Sequence, residues 1–342
     1  MTFIAYSNAK AGYLTLYYKK IYRTLAWNNE ECMKKALIFG IDGFVGKYMA
    51  NELKENGYDV YTSSRNGRGE AYDGWYSCDL NDSEQVKNVI AEVNPSHIIN
   101  LAGQTNVGIS WRIPKLTVET NVCGAINIME AVHQYNMECN ILMVGSSEEY
   151  FGKEGALIES DVLNPSNPYG ISKMMLEHFC ELYREQYGMK VFFVRSFNHT
   201  GVGQNDNFVI PSWCKQVAYI TKCRKSGIMK VGNLDIIRDF SNVKDIVNAY
   251  RLVIESADDS IIYNIGSGVG ISLKEILNHV ISLSDQQISI QQDPRLIRPI
   301  ETTYSCANIS LISNNLNWTP RYNIFDTVEE IYSYYYDKTV TK

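Results

Sequence analysis

The chain has 342 residues, 45% of them hydrophobic, with a net charge of −6, which suits one large or two small globular domains and argues against nucleic-acid or anionic-membrane partners. Its eight cysteines are scattered, with no C-x-x-C and no clustered histidine, so neither a metal site nor a disulfide scaffold is expected and reduced thiols in a cytoplasmic enzyme are. No apolar run reaches the roughly 18 residues of a membrane span.

Residues 1–32 include an aromatic, basic stretch from Ala11 to Arg23 and lack the unbroken apolar core and cleavage site of a signal peptide. A surface helix and an interfacial anchor both fit it. The favoured reading is an extension with no catalytic role, because Met33-Lys34-Lys35 is a suitable start just before a strand. From there strand and helix alternate. Residues 36–40 read as a strand, 44–56 as a helix, 57–63 as a second strand and 86–93 as a helix. A strand at 97–102, a helix at 117–135, a strand at 140–145, a helix at 169–187 and a strand at 190–195 follow. This order predicts an α/β fold, a Rossmann-type doubly wound parallel sheet with helices on both faces. After about Phe197 looser order and shorter elements are expected, as in a smaller C-terminal substrate-binding lobe. The division is 33–196 mainly for the cofactor domain and 197–342 mainly for the lobe, with the chain interleaving between them.

The first strand runs into Gly40-Ile-Asp-Gly43-Phe-Val-Gly46, a G-x-x-G-x-x-G spacing. Glycines permit a tight turn and let the backbone approach a pyrophosphate, whose charge then meets a helix N-terminus. The triplet alone says little; its place between strand and helix gives it weight. The second strand ends in Tyr61-Thr-Ser-Ser-Arg65. An NAD-selecting enzyme carries Asp or Glu there for the ribose 2′-hydroxyl, whereas a guanidinium suits a 2′-phosphate. NADP(H) is therefore expected ahead of NAD(H). Asp79 and Leu80, after the next strand-like stretch, are candidates to border the adenine.

Tyr169-Gly-Ile-Ser-Lys173 places a phenol and an ammonium four residues apart, on one helical face. The ammonium is expected to favour the phenolate and lower its pKa, so that Tyr169 exchanges a proton with a sugar hydroxyl or ketone near neutral pH. Y-x-x-x-K arises often by chance in a chain with 24 tyrosines. Here it follows the glycine motif and a serine-rich strand end, Ile141 to Tyr150, whose hydroxyl can donate to the substrate oxygen.

Five further segments carry a resemblance: Gly145-Ser-Ser-Glu-Glu-Tyr150, Ser196-Phe-Asn-His-Thr-Gly201 with Gln204, residues 231–240, residues 293–301 and Asn317-Trp-Thr-Pro320. With them, the chain from Met33 to about Tyr335 resembles the extended short-chain dehydrogenase/reductases that modify nucleotide sugars. Within that group it is most similar to the GDP-4-keto-6-deoxy-D-mannose reductases, which make GDP-D-rhamnose, and to their relatives the GDP-mannose 4,6-dehydratases. The resemblance implies a Ser-Tyr-Lys catalytic set, with Ser146 as the hydroxyl four residues before Tyr150. The family usually has glycine directly after that tyrosine, where this chain has Phe151 before Gly152. A shift of one would select Ser147; Ser146 is preferred. Glu148 falls where the dehydratases keep the acid that protonates the leaving hydroxyl, although those enzymes usually have threonine at the Ser146 position.

The resemblance also implies cofactor contacts from Gly40, Gly43, Phe44, Val45, Gly46, Leu101, Ala102 and Gly103, beside Arg65, Asp79, Leu80, Tyr169 and Lys173. It implies that Asn198 touches the sugar diphosphate and that Arg238 and Arg298 clamp its two phosphates, as bidentate guanidinium groups do. Residues near Val209 and Lys215 would border the base. A homodimer would form through a four-helix bundle of helices 117–135 and 169–187. The leading expectation is NADPH-dependent reduction of a 4-keto group on a GDP-4-keto-6-deoxy-hexose, and the alternative is a nucleotide-sugar 4,6-dehydratase. A non-catalytic nucleotide-binding sensor is disfavoured by the intact Tyr169/Lys173 pair.

Overall fold

The structure is a computed structural model that describes residues 34–65, 72–297 and 302–339. The N-terminal extension and Arg298 lie outside the described residues. The first half runs β1 (Lys34–Phe39), α1 (Phe44–Glu55), β2 (Tyr58–Ser64), β3 (Gly74–Ser77), α2 (Ser83–Val93), β4 (His97–Asn100), α3 (Gly124–Gln134), β5 (Asn140–Val144) and α4 (Pro168–Tyr187). The second half continues with β6 (Val191–Ser196), β7 (Asn198–Thr200), α5 (Val209–Cys223), β8 (Gly227–Val231), β9 (Ile237–Asn242), α6 (Val243–Ile254) and β10 (Tyr263–Ile265). Then come β11 (Gly270–Ser272), α7 (Leu273–Ser282), β12 (Ile288–Gln292), β13 (Tyr304–Ser305), α8 (Ser310–Leu316) and α9 (Ile324–Lys338).

β1 shows why the fold forms. Ala36 and Ile38 enter one core with α1 and α6, while Leu37 and Phe39 enter another with α2, α3 and α4. A parallel strand covered on both faces has no wet side, so it reads as an unbroken apolar run. The seven strands of this sheet are parallel and lie in the order β10-β6-β5-β4-β1-β2-β3. The order reverses between β1 and β4, the switch point outside which open α/β sheets bind ligands. Local signals start the helices: the Asp82 carboxylate accepts the backbone N–H groups of Glu84 and Gln85 at the start of α2. Asn167 does the same for the Gly170 N–H at the start of α4, whose first residue is Pro168 and which ends at Gly188 in a left-handed conformation.

Two expectations need correction. The helix at 117–135 is not uniform: it begins as Pro114–Val118, passes through a π-helical turn at Glu119–Cys123 and only then becomes α3. That turn directs Asn121 inward, where it is buried. The chain beyond Phe197 is also more regular than expected, with 15-residue helices at α5 and α9. β10 returns to pair with β6, and α6 covers the sheet face beside α1 with Val243, Ile246, Val247 and Tyr250. The physical reason is that the first half leaves one sheet edge open and one face bare, and only later segments cover them.

A third core, built on Trp213 and Val217 of α5, Ile276 and Val280 of α7, and Val328 and Ile331 of α9, backs a small sheet in which β9 pairs with β7, β11 and β13. Buried Asp239 locks β9 in place, its carboxylate accepting from the backbone N–H groups of Ser267, Gly268 and Ala307. Among the described residues no helix is long and apolar enough to cross a membrane, and no group of three His, Cys, Asp or Glu is placed to hold a metal ion.

Candidate active site

The turn between β1 and α1 is fixed by close approach. Gly40 has φ +89°, and a Cβ there would stand 2.6 Å from the Ala102 backbone nitrogen; a Cβ on Gly46 would stand 2.5 Å from the Ile41 carbonyl oxygen. Only glycine fits either place. Gly43 caps α1 without a side-chain bond, so no capping side chain occupies the N-terminus of the helix. This is an anion cradle at a helix N-terminus, and it fits a pyrophosphate. Leu101, Ala102 and Gly103 follow β4 along its side, with Leu101 N–H on the Phe39 carbonyl at 2.9 Å. Arg65, exposed, directly follows β2. The Leu80 carbonyl is held by Asn127 Nδ2 at 2.7 Å, and Asp79 Oδ1 accepts from the Asn81 backbone.

The second part of the site gathers at the end of β5. Ser146 caps a short turn at Ser147–Glu149, its hydroxyl accepting the Glu148 N–H at 3.2 Å, and it lies by the phenol of Tyr169, which α4 carries in its first turn. Gly170 permits this approach, since a Cβ there would meet the Glu148 carbonyl oxygen at 2.2 Å. Lys173, one turn further along α4, donates to the Val144 carbonyl at 2.6 Å, with its ammonium 5.9 Å from the centre of the Tyr169 ring. The expected lowering of the phenol is not what this geometry gives. Burial pushes Tyr169 up, the neighbouring Ser146 hydroxyl opposes the rise and Glu148 adds to it. The lysine moves instead: burial brings it down to about 8.

Ser146 and Tyr169 stand beside a pocket lined by Ser147, Glu148, Tyr150, Asn198, Arg238 and Thr302, among others. Ser147 thus faces the pocket, while Ser146 meets the phenol. Glu148 Oε2 accepts from Asn167 Nδ2 at 2.8 Å, and Asn167 Oδ1 accepts the Gly170 N–H, so one asparagine joins the pocket carboxylate to the start of α4. Asn198 of β7 and Arg238 of β9 come from neighbouring strands. The Arg238 guanidinium donates to the carbonyls of Ile237 and Thr302 at 2.9 and 2.6 Å.

The profile of the GDP-mannose 4,6 dehydratase family matches residues 37–331. The chain belongs to this family. GDP-6-deoxy-D-mannose reductase of Pseudomonas aeruginosa is 26% identical to it over 303 residues, covering 88% of this chain and 96% of the relative. GDP-mannose 4,6 dehydratase of Drosophila melanogaster is also 26% identical, over 87% of this chain and 85% of the relative. Among solved structures, RMD from Pseudomonas aeruginosa complexed with NADPH matches with TM-score 0.79 and 25% identity, over 90% of this chain and 99% of that one. The chain is thus an enzyme of the NAD(P)-dependent nucleotide-sugar reductase and dehydratase class.

Within this family member, both residues expected near the base lie on α5. Val209 opens α5 and packs against the third core, and Lys215 pairs with Asp206 on the exposed side of α5. The structure also shows residues that the motifs did not single out. Asn121 accepts the Gln104 N–H at 2.8 Å and donates to Ser172 Oγ at 2.9 Å, tying the loop after β4 to α4. His199 stacks on Phe44 at the mouth of the glycine turn, with ring centres 6.3 Å apart. Its Nδ1–H donates to the Phe197 carbonyl at 3.0 Å. In the sequence Asn121 carried no signal, and His199 only its place within the Ser196–Gly201 segment.

Proposed function

We propose that the chain reduces the C4 ketone of a GDP-4-keto-6-deoxy-hexose with NADPH, a reaction of the GDP-D-rhamnose-forming type. The observation that carries the reductive chemistry is the grouping of Ser146, the buried Tyr169 phenol and, one turn behind it, Lys173 beside the pocket. The glycine cradle would hold the cofactor pyrophosphate, with Phe44, Val45 and Leu101 to Gly103 around it and Asp79 and Leu80 near the adenine. Arg65 would take the 2′-phosphate and Lys173 the ribose. Bound NADPH supplies a hydride to the substrate carbonyl carbon. Ser146 holds the carbonyl oxygen, and Tyr169, kept protonated by burial, gives it the proton. Asn198 and Arg238 hold the sugar diphosphate, an arrangement in which Arg298 would join. The same reading places the enzyme in the cytoplasm, where its free thiols stay reduced. It also makes it a homodimer, through an α4 face that exposes Ile171, Met175 and Leu182.

The reductase is preferred to the dehydratase because Glu148 is bound to the Asn167 cap that supports the Tyr169 helix, and because serine stands at position 146. The dehydratase reading draws on one observation, that Glu148 lines the pocket. Product assays separate the two. Wild type given NADPH and the 4-keto sugar should turn over, and given NADP⁺ and GDP-mannose it should form little 4-keto product. Glu148→Gln cannot protonate a leaving hydroxyl, yet it should keep 4-keto reduction to within roughly tenfold. Rapid 4-keto formation from GDP-mannose by wild type, abolished in Glu148→Gln, would make the enzyme a dehydratase.

A further inference from the structure

Beneath the Ser146 turn lies a carboxyl that none of this chemistry uses. Glu149 is completely buried, next in the chain to the pocket-lining Glu148. Gly145 makes room for it, since a Cβ at that position would fall 2.4 Å from Glu149 Oε1. Oε1 accepts the Ser146 backbone N–H at 2.5 Å. Oε2 finds no N–H or O–H donor among the described residues, and the carboxyl lies in hydrogen-bonding contact with that of Glu177 on α4. Glu177 is already held at both oxygens by Arg195 of β6, Nε to Oε2 at 2.7 Å and Nη2 to Oε1 at 2.5 Å. Arg195 Nη1 adds bonds to the Tyr150 hydroxyl and the Glu159 carbonyl, both at 2.8 Å. The other titratable groups around Glu149 are Lys173, Cys180 and Tyr169, all on α4.

Two carboxyls in contact in a dry interior do not both ionise, and the guanidinium that fits one of them leaves the other to keep its proton. Glu177 has the guanidinium. Burial first, and then the Glu177 carboxylate, push Glu149 well above the usual carboxylate range. We propose that Glu149 is a positioning residue that stays protonated, giving its proton to Glu177 through Oε2 while Oε1 pins the Ser146 backbone and so aims the Ser146 hydroxyl at Tyr169. A single hydrogen bond in the floor of the site thereby sets the geometry of its proton-handling pair. The inference rests on the Ser146–Tyr169–Lys173 assignment of the proposed function.

The test uses two variants and two kinds of measurement on the full chain. In Glu149→Gln the amide N–H donates to Glu177 and the amide oxygen accepts from Ser146, so both bonds of the neutral acid survive. Glu149→Leu keeps the volume and loses both. In Glu149→Leu kcat should fall at least about tenfold with KM for NADPH changed less than about threefold, and Glu149→Gln should restore kcat to within about threefold of wild type. Its alkaline limb should match that of wild type, because no charge has been removed. A difference infrared spectrum, wild type minus Glu149→Gln at pH 7, should contain the C=O band of a protonated carboxyl. Absence of that band, or a Glu149→Gln alkaline limb displaced downward, would mean an ionised Glu149 and overturn the proposal. So would a Glu149→Leu enzyme with wild-type kcat. The infrared band reads the proton whichever sugar the enzyme reduces, so its loss and a failure of the substrate assignment are separate results.

Discussion

The glycine cradle after β1 and the pocket beside Tyr169 are made of different material. The cradle is backbone: Gly40 and Gly46 are there because any Cβ would strike Ala102 or Ile41, and the charge it offers comes from the start of α1. The pocket is side chains from distant parts of the chain, Glu148 after β5, Asn198 on β7 and Arg238 on β9, aimed by further side chains behind them. A backbone site is specified locally and takes any ligand with the right charge. A side-chain site is specified by tertiary packing, and there small changes choose between reactions. That difference is why the cradle identifies a class of cofactor while the pocket leaves reductase and dehydratase to be separated by a single carboxylate.

The sharpest way to break the comparison is to remove one atom from the pocket and none from the cradle. Tyr169→Phe should lower kcat by at least ~10²-fold, on general acid–base magnitudes, while NADPH affinity stays near wild type. Loss of affinity on the same scale would mean that cradle and pocket are not separate units, and near-normal turnover would remove Tyr169 from the chemistry.

A smaller effect probes the one side chain proposed to give the cradle its selectivity. Arg65→Asp replaces a phosphate partner by a like charge and should weaken NADPH binding roughly tenfold more than NADH binding, the scale of one charge-assisted hydrogen bond. Titration of both cofactors against the variant reads this directly, and equal losses would show that Arg65 does not read the 2′-phosphate.

The smallest expected effect lies at the seam. Burial brings Lys173 down to about 8, so its ammonium is present below that pH and is lost as pH rises through it. Cofactor affinity of the free enzyme should therefore weaken above about pH 8, by no more than about tenfold per pH unit for a single proton. Affinity unchanged up to pH 9.5 would place the lysine away from the cofactor.

Much of the cradle was legible because its determinants are neighbours in sequence. G-x-x-G-x-x-G stands between an apolar strand and a helix, and Tyr169 and Lys173 share one face of α4 by their spacing alone. The state of that pair was not legible. The expectation that Lys173 lowers the Tyr169 phenol failed because the ammonium is spent on the Val144 carbonyl and because both groups are buried, and burial acts on each more strongly than either acts on the other.

The adjacent glutamates mark the boundary most clearly. By itself the sequence determined the alternation of strand and helix, the parallel sheet, the glycine turn and the Tyr–Lys spacing, because each depends on residues within one or two turns of each other. It placed Glu148 and Glu149 side by side, with a role for Glu148 implied by resemblance and none for Glu149. Only the packing of α4 and β6 against the Ser146 turn sends one carboxyl into the pocket and the other into the dry interior, against Glu177 and Arg195. There the cost of an unpaired charge, a property of the folded surroundings, sets what the side chain can do.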